Sequence, residues 1–316
     1  MLNIDNFHYK PFGLDKIDDL LYLFNLDGKV ISKKYILNKF KFDQNSTCKN
    51  YIGYIAYDLD NVPAAFIGGF YMTIKNQKEF LNAIQIGDVI TNPKHRRKGL
   101  FVIIASNFFN YLSELNIFDL VFGFPNDNLA AAYFDKLNWL KNDKLQTFTK
   151  SLPFFNLYGL CHRFSILKPI YKIQTNIFLK LLEVNIFENL NGFSSSSTFE
   201  NLKNEVFFRW KKSYSSGKTI KIRGNIYFIK FIDGIQIDIL KVDNSKNLKT
   251  DFYILGLLFG VKKLTTMLSL NSMLIPNLNL AGFNKIDQDL YVGYLFLNDK
   301  NRKERFVFSI SDADEF

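Results

Sequence analysis

Cysteine is scarce in this chain of 316 residues, which contains only Cys48 and Cys161. The two lie far apart and form no CxxC pair, so they exclude a disulfide framework and a cysteine-rich zinc site. Histidine adds little to any metal-binding potential, with three residues in the whole chain. The sequence therefore predicts no metal site, and it predicts a reducing compartment, the cytoplasm.

Long hydrophobic runs are also missing. No run reaches the roughly 18 apolar residues that a membrane-spanning helix needs. The longest candidate, ILGLLFGV at 254–261, has the length of a buried helix. The first residues, MLNIDNFHYK, contain no basic stretch followed by an apolar run, so no signal peptide is predicted. We expect a cytoplasmic protein without a membrane span.

No long Lys/Arg tail is present, although 40 basic residues outnumber 30 acidic ones and give a net charge of +10. This excess favours anionic partners such as phosphates, sugar nucleotides, nucleic acid or acidic lipid. Because the charge is spread along the chain, a nucleic-acid-binding arm is not indicated. Hydrophobic residues make up 47% of the chain, including 34 Phe and 16 Tyr, enough for one large or two ordinary domains with real cores.

The sequence predicts a series of helices and strands in the first half of the chain that recurs loosely in the second half. Hydrophobic periodicity and turn signals predict, in order, helices at 16–28 and 32–42, strands at 51–58, 63–74 and 80–90, a helix after 99, a strand at 117–124, a helix at 128–137 and a strand near 145–152. From about residue 205 a similar series recurs, so the second half loosely repeats the first. We predict two domains, 1–155 and 156–316.

The segment TNPKHRRKGLF (91–101) has the densest positive charge. A predicted strand leads into it, and apolar residues spaced three and four apart from Phe101 to Leu115 predict a helix that begins after Gly99. The first N–H groups of a helix have no backbone partner, and the helix dipole adds positive potential there. Strand, basic loop, glycine and helix together predict a pyrophosphate site. A solvated basic turn and a nucleic-acid patch are the alternatives.

Two segments carry a resemblance to a known family. Residues 88–101, D-V-I-T-N-P-K-H-R-R-K-G-L-F, resemble the acetyl-CoA signature of the GNAT N-acetyltransferase superfamily, a strand ending in V-x-P followed by [QR]-x-x-G-x-[GA]. Residues 123–139, GFPNDNLAAAYFDKLNW, are similar to the family's next element, a strand ending in Asn and a helix with A-x-x-x-Y-x-x-x-G-F. The likeness covers about residues 10–150 well and the rest faintly. It implies an α/β (α+β) fold with a mixed, mostly antiparallel central sheet flanked by helices, and it implies acetyl-CoA as the cofactor.

The resemblance also implies which residues bind that cofactor. They are Val89, Ile90 and Thr91 on the strand edge that pairs with the pantetheine arm, Arg96, Arg97, Lys98, Gly99, Leu100 and Phe101 in the pyrophosphate-binding loop, and Asn126 where the next strand splays. The backbone amides from Arg97 to Phe101 are the expected phosphate donors. Phe101 departs from the family pattern, which has a small residue there, and Asn138-Trp139 replaces the usual Gly-Phe.

Acyl transfer to an amine needs a group that accepts the amine's proton. Asp88, three residues before Thr91 on the cofactor strand, is the candidate base, and a structural Asp bonded to a neighbouring loop is the alternative. Phe134 occupies the position where many family members have the Tyr that protonates the departing thiolate. The adjacent Tyr133, which a regular helix would point elsewhere, is the candidate acid, and core packing is its alternative role.

The second half has no R-x-x-G-x-[GA] segment. Its counterpart, KLTTMLSLNSMLIPNLNLAGF at 263–283, keeps a strand, Asn271 and the pair Gly282-Phe283. It resembles a degenerate GNAT copy that shapes the acceptor site. The last residues, SDADEF at 311–316, resemble the ends of tandem GNAT-like proteins found with bacterial surface-polysaccharide genes.

The expected function is transfer of an acetyl group from acetyl-CoA to a primary amine of a small molecule, such as an amino sugar or sugar nucleotide, in a ternary complex. A Fem-like aminoacyltransferase that uses aminoacyl-tRNA and a non-catalytic acyl-CoA-binding protein are the alternatives. Nucleic acid is not the expected partner. The acceptor, the acyl chain length and the oligomeric state, a homodimer included, stay open.

Overall fold

The computed structural model describes residues 6–40, 51–185, 198–232, 234–299 and 302–313. Cys48 and the last three residues of the SDADEF segment, 314–316, lie outside this described part. The chain divides into two compact units. Unit 1 comprises Met1–Asn142 and Tyr291–Glu304, and unit 2 comprises Asp143–Leu290 and Arg305–Phe316.

The regular elements follow one another as short strands and helices. The first half contains, in chain order, β1 (Phe7–Pro11), α1 (Ile17–Leu26), α2 (Lys33–Phe40), β2 (Tyr51–Asp58), β3 (Pro63–Lys75), β4 (Phe80–Thr91), α3 (Leu100–Leu115), β5 (Leu120–Gly123), α4 (Asp127–Ala131) and β6 (Leu140–Ser151). The rest contains α5 (Leu157–Arg163), α6 (Lys168–Leu182), β7 (Phe199–Asn201), α7 (Glu205–Tyr214), β8 (Lys218–Ile222), β9 (Asn225–Phe231), β10 (Ile235–Lys241), α8 (Leu248–Phe259), β11 (Lys263–Ser269), α9 (Ile275–Leu280), β12 (Asn284–Phe296) and β13 (Phe306–Val307).

Unit 1 is built on a mostly antiparallel sheet. β1, β2, β3 and β4 pair in sequence order, each antiparallel to the next. β4 and β5 are parallel, as expected for strands joined by the helix α3. The last strand is the end of β12, where Gly293–Phe296 lies antiparallel to β5. The strand beside β5 therefore comes from the far end of the chain.

Alternation along β3 gives this sheet two apolar faces. On one face, Ala65 and Ile67 pack in a core with Leu100, Ile104 and Phe108 of α3. On the other face, Phe66 and Phe70 lie against the ring of Tyr51, which stacks on Phe40 of α2. Helices thus cover both faces of the sheet. The residues between sheet and helix are aliphatic and aromatic on the α3 side and mainly aromatic on the α2 side.

Unit 2 repeats this order of elements. β8, β9 and β10 pair antiparallel in sequence order. β10 pairs parallel with β11, which follows it in the chain after the helix α8. Residues 145–151 of β6 lie antiparallel to β11. A separate core joins the apolar sides of β9, β10 and α8, with Tyr227, Ile237, Phe252 and Phe259 fully or almost fully buried. β7 and β13 form a short parallel pair.

The predicted elements of the first half are found close to their expected positions. Ser32 begins α2, because its Oγ accepts a hydrogen bond from the N–H of Tyr35 at 3.1 Å. β1, α5 and α9 had no counterpart in the sequence prediction. No helix in the described part of the chain is long and apolar enough to cross a membrane.

Candidate functional site

β4 and β5 separate halfway along β4. Their parallel pairing ends at Ile86 opposite Gly123, whereas β4 continues to Thr91 beside β3. The register with β3 shifts at the same point, since Gly69 faces Ile86 and Gly68 faces Asp88, which leaves Gly87 as an extra residue. Among the described residues, no strand therefore lies on the β5 side of β4 from Gly87 onward.

The open edge of β4 presents the backbone groups of Val89 and Thr91. The N–H of Asn92 donates to the C=O of Ala64 at 2.9 Å. Because backbone groups alternate along an antiparallel ladder, Ile90 faces β3, and Val89 and Thr91 face the open side. The carbonyl of Thr91 already accepts a hydrogen bond from Nε of Arg96 at 3.0 Å. The groups available on the open edge are therefore the N–H and C=O of Val89 and the N–H of Thr91. Ile90 lies between these two residues, with its own backbone groups turned toward β3.

Asn92 fixes the start of the basic loop, which we define as residues 92–99. Its side chain is buried, and its Oδ1 accepts from the N–H of Lys94 at 3.1 Å while its Nδ2 donates to the carbonyl of Pro63 at 3.2 Å. These bonds hold the short 3-10 turn Pro93–His95 against the beginning of β3. The loop leaves the sheet in a fixed direction for this reason.

The five residues after Arg96 form a row of open backbone donors. Within the described residues, no protein group accepts a hydrogen bond from the N–H of Arg97, Lys98, Gly99, Leu100 or Phe101. Arg97 and Gly99 adopt left-handed conformations, with φ of 59° and 86°. Such residues turn neighbouring N–H groups into an anion-binding nest, and the helix dipole of α3 adds to the attraction. We call these five groups the N–H row.

Space is available beside the N–H row. A Cβ atom built on Gly99 would meet no other atom within 4 Å. The packing in the structure therefore does not require glycine there, although the positive φ favours it. A bare backbone next to open donors is what a phosphate group needs to approach closely.

The cations of the basic loop fall into two groups. Arg96 forms an ion pair with Asp27 at the end of α1, and His95 Nε2 lies 3.6 Å from Asp58 Oδ2. Arg97 and Lys98 are exposed and have no carboxylate partner in the described part of the chain. Lys94 is exposed and without a carboxylate partner in the described residues as well, but it precedes the N–H row, whereas Arg97 and Lys98 belong to it. The predicted pyrophosphate residues thus lie together in one loop. The side chain of Arg96 is bonded to Asp27 and to the Thr91 carbonyl and so holds the loop in place.

Asp88 lies on the opposite side of β4 from Val89, facing α2. Its Oδ1 accepts from Lys39 Nζ at 2.8 Å, and its Oδ2 accepts from the hydroxyl of Tyr51 at 3.2 Å. The side chains of Lys39 and Asp88 are 7% and 9% exposed. The sequence gives no sign of these partners, which lie 49 and 37 residues away. Any role of Asp88 in proton transfer must include them.

Tyr133 lies in an irregular helical turn that follows α4. Residues Ala132–Lys136 form a π-helix, in which the N–H of Leu137 donates to the carbonyl of Ala132 at 3.1 Å. The Tyr133 ring packs in the core on the α3 side, 4.4 Å from the Trp139 ring, and its role as a proton donor stays a prediction. The Tyr133 ring lies 5.2 Å from the Phe101 ring, and Phe134 instead contacts Tyr291. Tyr133 is 3% exposed, and this burial raises the pKa of its hydroxyl well above the ordinary value.

Asn126 begins α4 just beyond the end of β5. Its Oδ1 accepts from the N–H of Leu129 at 3.2 Å, so it caps the helix. The side chain is exposed. The structure thus gives Asn126 a local structural role next to the point where β4 and β5 separate.

In unit 2, buried side chains lie at the start of the corresponding helix, α8. Ahead of α8, the Oδ1 of Asn225 accepts from the N–H groups of Asp243 and Asn244 at 2.9 and 3.2 Å. Asp251, fully buried in the first turn of α8, accepts from Asn225 Nδ2 and from the Tyr227 hydroxyl, both at 2.7 Å. A buried carboxylate of the protein therefore lies in the first turn of α8.

The C-terminal segment lies beside β10 and β11 of unit 2. β10 and β11 pair at two positions only, ending at Gln236 opposite Thr265. Beyond them, Ser309 bridges to Leu268 of β11 and its Oγ donates to Asp238 of β10 at 2.7 Å. Protein backbone therefore lies beside β11 at the point where β10 and β11 separate.

Comparison with known structures supports one fold. A GCN5-related N-acetyltransferase from Kribbella flavida superimposes with a TM-score of 0.58 at 10% identity over 92% of this chain and 72% of its own. A second, from Anabaena variabilis, gives a TM-score of 0.54 at 12% identity over 92% and 73%. The N-myristoyltransferase of Saccharomyces cerevisiae, solved with bound myristoyl-CoA, superimposes with a TM-score of 0.52 at 9% identity, over 94% of this chain and 84% of its own.

No model of a known protein family matches the sequence, and no curated protein matches it. At these low identities the structural likeness shows the fold alone. The chain has the fold of the GCN5-related N-acetyltransferases, and the predicted class, a mixed and mostly antiparallel sheet flanked by helices, is confirmed.

Proposed function

We propose that the chain is an acyl-CoA-dependent N-acyltransferase whose cofactor, acetyl-CoA, binds to unit 1. The N–H row carries this proposal, because five consecutive open donors at a helix start, two of them on left-handed residues, suit a pyrophosphate. Arg97 and Lys98 supply charge for the same phosphates. The backbone of Val89 and Thr91 offers a strand edge for the amide groups of the pantetheine arm.

The bound group would supply an acyl thioester. The chain's own residues would then handle protons. Asp88, together with Lys39 and Tyr51, is the proposed acceptor of the amine's proton. Tyr133 is the proposed donor to the departing thiolate. This hydroxyl is protonated at neutral pH, as that of an ordinary tyrosine is and as a proton donor requires, and its raised pKa extends the protonated range upward.

The proposed acceptor is a primary amine on a small molecule, such as an amino sugar or its sugar nucleotide. The net charge of +10 supports an anionic acceptor. We propose that unit 2 is a degenerate copy of unit 1, since it repeats the order of elements but has a buried carboxylate, that of Asp251, in the first turn of the corresponding helix.

The test is direct measurement of acyl transfer. The full chain is incubated with acetyl-CoA and, in separate reactions, an amino sugar, its sugar nucleotide and a diamine. Free thiol and the mass of the amine product are followed. An amine-dependent release of thiol with a matching acetylated product supports the proposal, and reactions without amine set the background.

A non-catalytic acyl-CoA-binding protein is the second candidate. It is favoured by the occupation of both oxygens of Asp88, which leaves no carboxylate oxygen without a partner at that position. Tight binding of acetyl-CoA with no acetylated product across the amine panel would select this candidate.

A further inference from the structure

One helix of unit 2 exposes an apolar stripe. In α6, Ile170, Ile173, Ile177 and Leu181 are 66%, 60%, 52% and 75% exposed. Their spacing of three, four and four residues places them on one side of the helix. We call these four side chains the α6 stripe. Single exposed apolar residues are common on protein surfaces, but a contiguous row of four large ones marks a contact surface.

The other side of α6 is firmly attached to the unit. The hydroxyl of Tyr171 donates to the carbonyl of Phe259 at 2.8 Å, and Gln174 Nε2 donates to the carbonyl of Leu258 at 3.2 Å. Leu179 is buried in the core of unit 2. The stripe is therefore the outward side of a docked helix, and these contacts fix the direction in which it faces.

The apolar surface continues ahead of the helix. Phe164 and Ile166, in the turn between α5 and α6, are 49% and 81% exposed. A helix of 15 residues is roughly 22 Å long by the rise of an α-helix, so stripe and turn together form an elongated surface.

The charge around this surface is of one sign. Residues 153–182 contain no Asp or Glu. Four basic residues of this segment are exposed, namely Arg163, Lys168, Lys172 and Lys180. None of them forms an ion pair with a carboxylate in the described part of the chain. By helical spacing Lys180 borders the stripe and Arg163 precedes Phe164 in the chain, whereas Lys168 and Lys172 lie on the other side of α6.

We propose that the α6 stripe docks on the surface of an anionic lipid bilayer, with α6 lying in the plane of the headgroups. The apolar side chains would enter the boundary of the acyl chains, Lys180 and Arg163 would bind lipid phosphates, and Lys168 and Lys172 would add to the attraction from a greater distance. A second copy of the chain fits less well, because pairing two such helices would bring eight cations together, four from each copy, with no acid from either segment. Lipid phosphates would neutralise these cations, whereas the cations of a second copy would repel them.

The test is flotation of the full chain with vesicles. One set contains phosphatidylglycerol and phosphatidylcholine in equal parts, and the other contains phosphatidylcholine alone. The double variant Ile173→Gln with Ile177→Gln removes the centre of the stripe. Val30→Gln, at a side chain that is 96% exposed in unit 1, is its control. A triple variant of Lys168, Lys172 and Lys180 to Gln is compared with Lys34, Lys78 and Lys246 to Gln, which are exposed and change the net charge equally.

We expect the wild type to float with the anionic vesicles and to bind the neutral ones at least tenfold more weakly. Since each basic residue near an anionic surface adds roughly fivefold in affinity, the α6 lysine variant should lose more than tenfold. The Ile173/Ile177 variant should lose at least tenfold, and both controls should bind like the wild type. Absence of wild-type binding, or equal loss in stripe and control variants, would overturn the proposal. A dimer that forms without lipid and that the Ile173/Ile177 variant dissociates would assign the stripe to a second copy instead.

Discussion

Lys39 Nζ donates a hydrogen bond to Asp88 Oδ1 at 2.8 Å, and both side chains are more than nine-tenths buried. Unit 2 contains a similar pair, in which Lys203 Nζ lies 3.0 Å from Asp238 Oδ2. Each Asp lies two residues beyond the last parallel pair of its strand, after Ile86 and after Gln236. Because the pair recurs in unit 2, for which no cofactor site is proposed, we expect it to stabilise the fold.

Replacing one member of the buried pair Lys39–Asp88 should lower the free energy of unfolding of unit 1. Lys39→Met leaves the carboxylate of Asp88 buried without its cation, which costs roughly 3–5 kcal/mol of unfolding free energy. The double variant Lys39→Met with Asp88→Leu should recover most of this loss. Urea unfolding measures both values. A loss below about 1 kcal/mol in the single variant would show that the pair is not a buried ion pair in solution.

Removing the hydroxyl of Tyr133 should slow acyl transfer without weakening cofactor binding. We expect Tyr133→Phe to lower kcat roughly 10²–10⁴-fold, the usual contribution of a positioned proton donor. Burial raises the pKa of this hydroxyl, so the donor stays protonated and its contribution persists through the pH near 10 at which a free tyrosine ionises. Initial rates from pH 6 to 10 give the measurement.

Tyr171→Phe is the matched control for that experiment. Burial also raises the pKa of Tyr171, to about 12, but its hydroxyl bonds to Phe259 in unit 2. An equal fall in kcat for both variants would show that loss of a buried hydroxyl, rather than loss of the proton donor, lowers the rate.

Charge removal at the N–H row should weaken CoA binding selectively. Arg97→Gln and Lys98→Gln should each raise the dissociation constant of CoA roughly three- to tenfold, about 0.7–1.4 kcal/mol, and added salt should reduce the difference. Lys94→Gln, an exposed lysine in the same loop, removes an equal charge ahead of the row. If Lys94→Gln weakens binding as much as the other two, the phosphates do not bind at the N–H row.

The chain should bind one CoA, not two. The first turn of α8 contains the buried carboxylate of Asp251, and Ser309 contacts both strands beyond their last pair. Calorimetric titration should therefore give a stoichiometry near one. A value near two would contradict the assignment of unit 2 as degenerate.

The local elements around the site could be predicted because each has its own sequence signal. Gly99 and the apolar spacing from Phe101 onward mark where α3 begins, and β-branched and aromatic runs mark β2, β3 and β4. The row of open donors follows from that helix start. Such signals depend on neighbouring residues alone.

The remaining features depend on residues that are distant in sequence. Nothing in residues 145–151 shows that they pair with β11, or that Gly293–Phe296 pairs with β5. The π turn at Ala132–Lys136 depends on how α4 packs, so the orientation of Tyr133 could not be read from a regular helical period. Lys39 reaches Asp88 across 49 residues, and neither carries a mark of its partner.

The most direct test of the proposed cofactor site is calorimetric titration of CoA into the wild type, Gly99→Glu and Gly28→Glu. Both glycines are exposed and have positive φ (86° and 75°), and a Cβ atom added to either would meet no other atom within 4 Å, so the two variants add similar strain and equal charge. We expect Gly99→Glu to weaken binding more than roughly thirtyfold, about 2 kcal/mol, because a carboxylate then lies beside the N–H row. Gly28→Glu should bind like the wild type. No binding by the wild type at millimolar CoA, or equal affinity in all three proteins, would contradict the proposal.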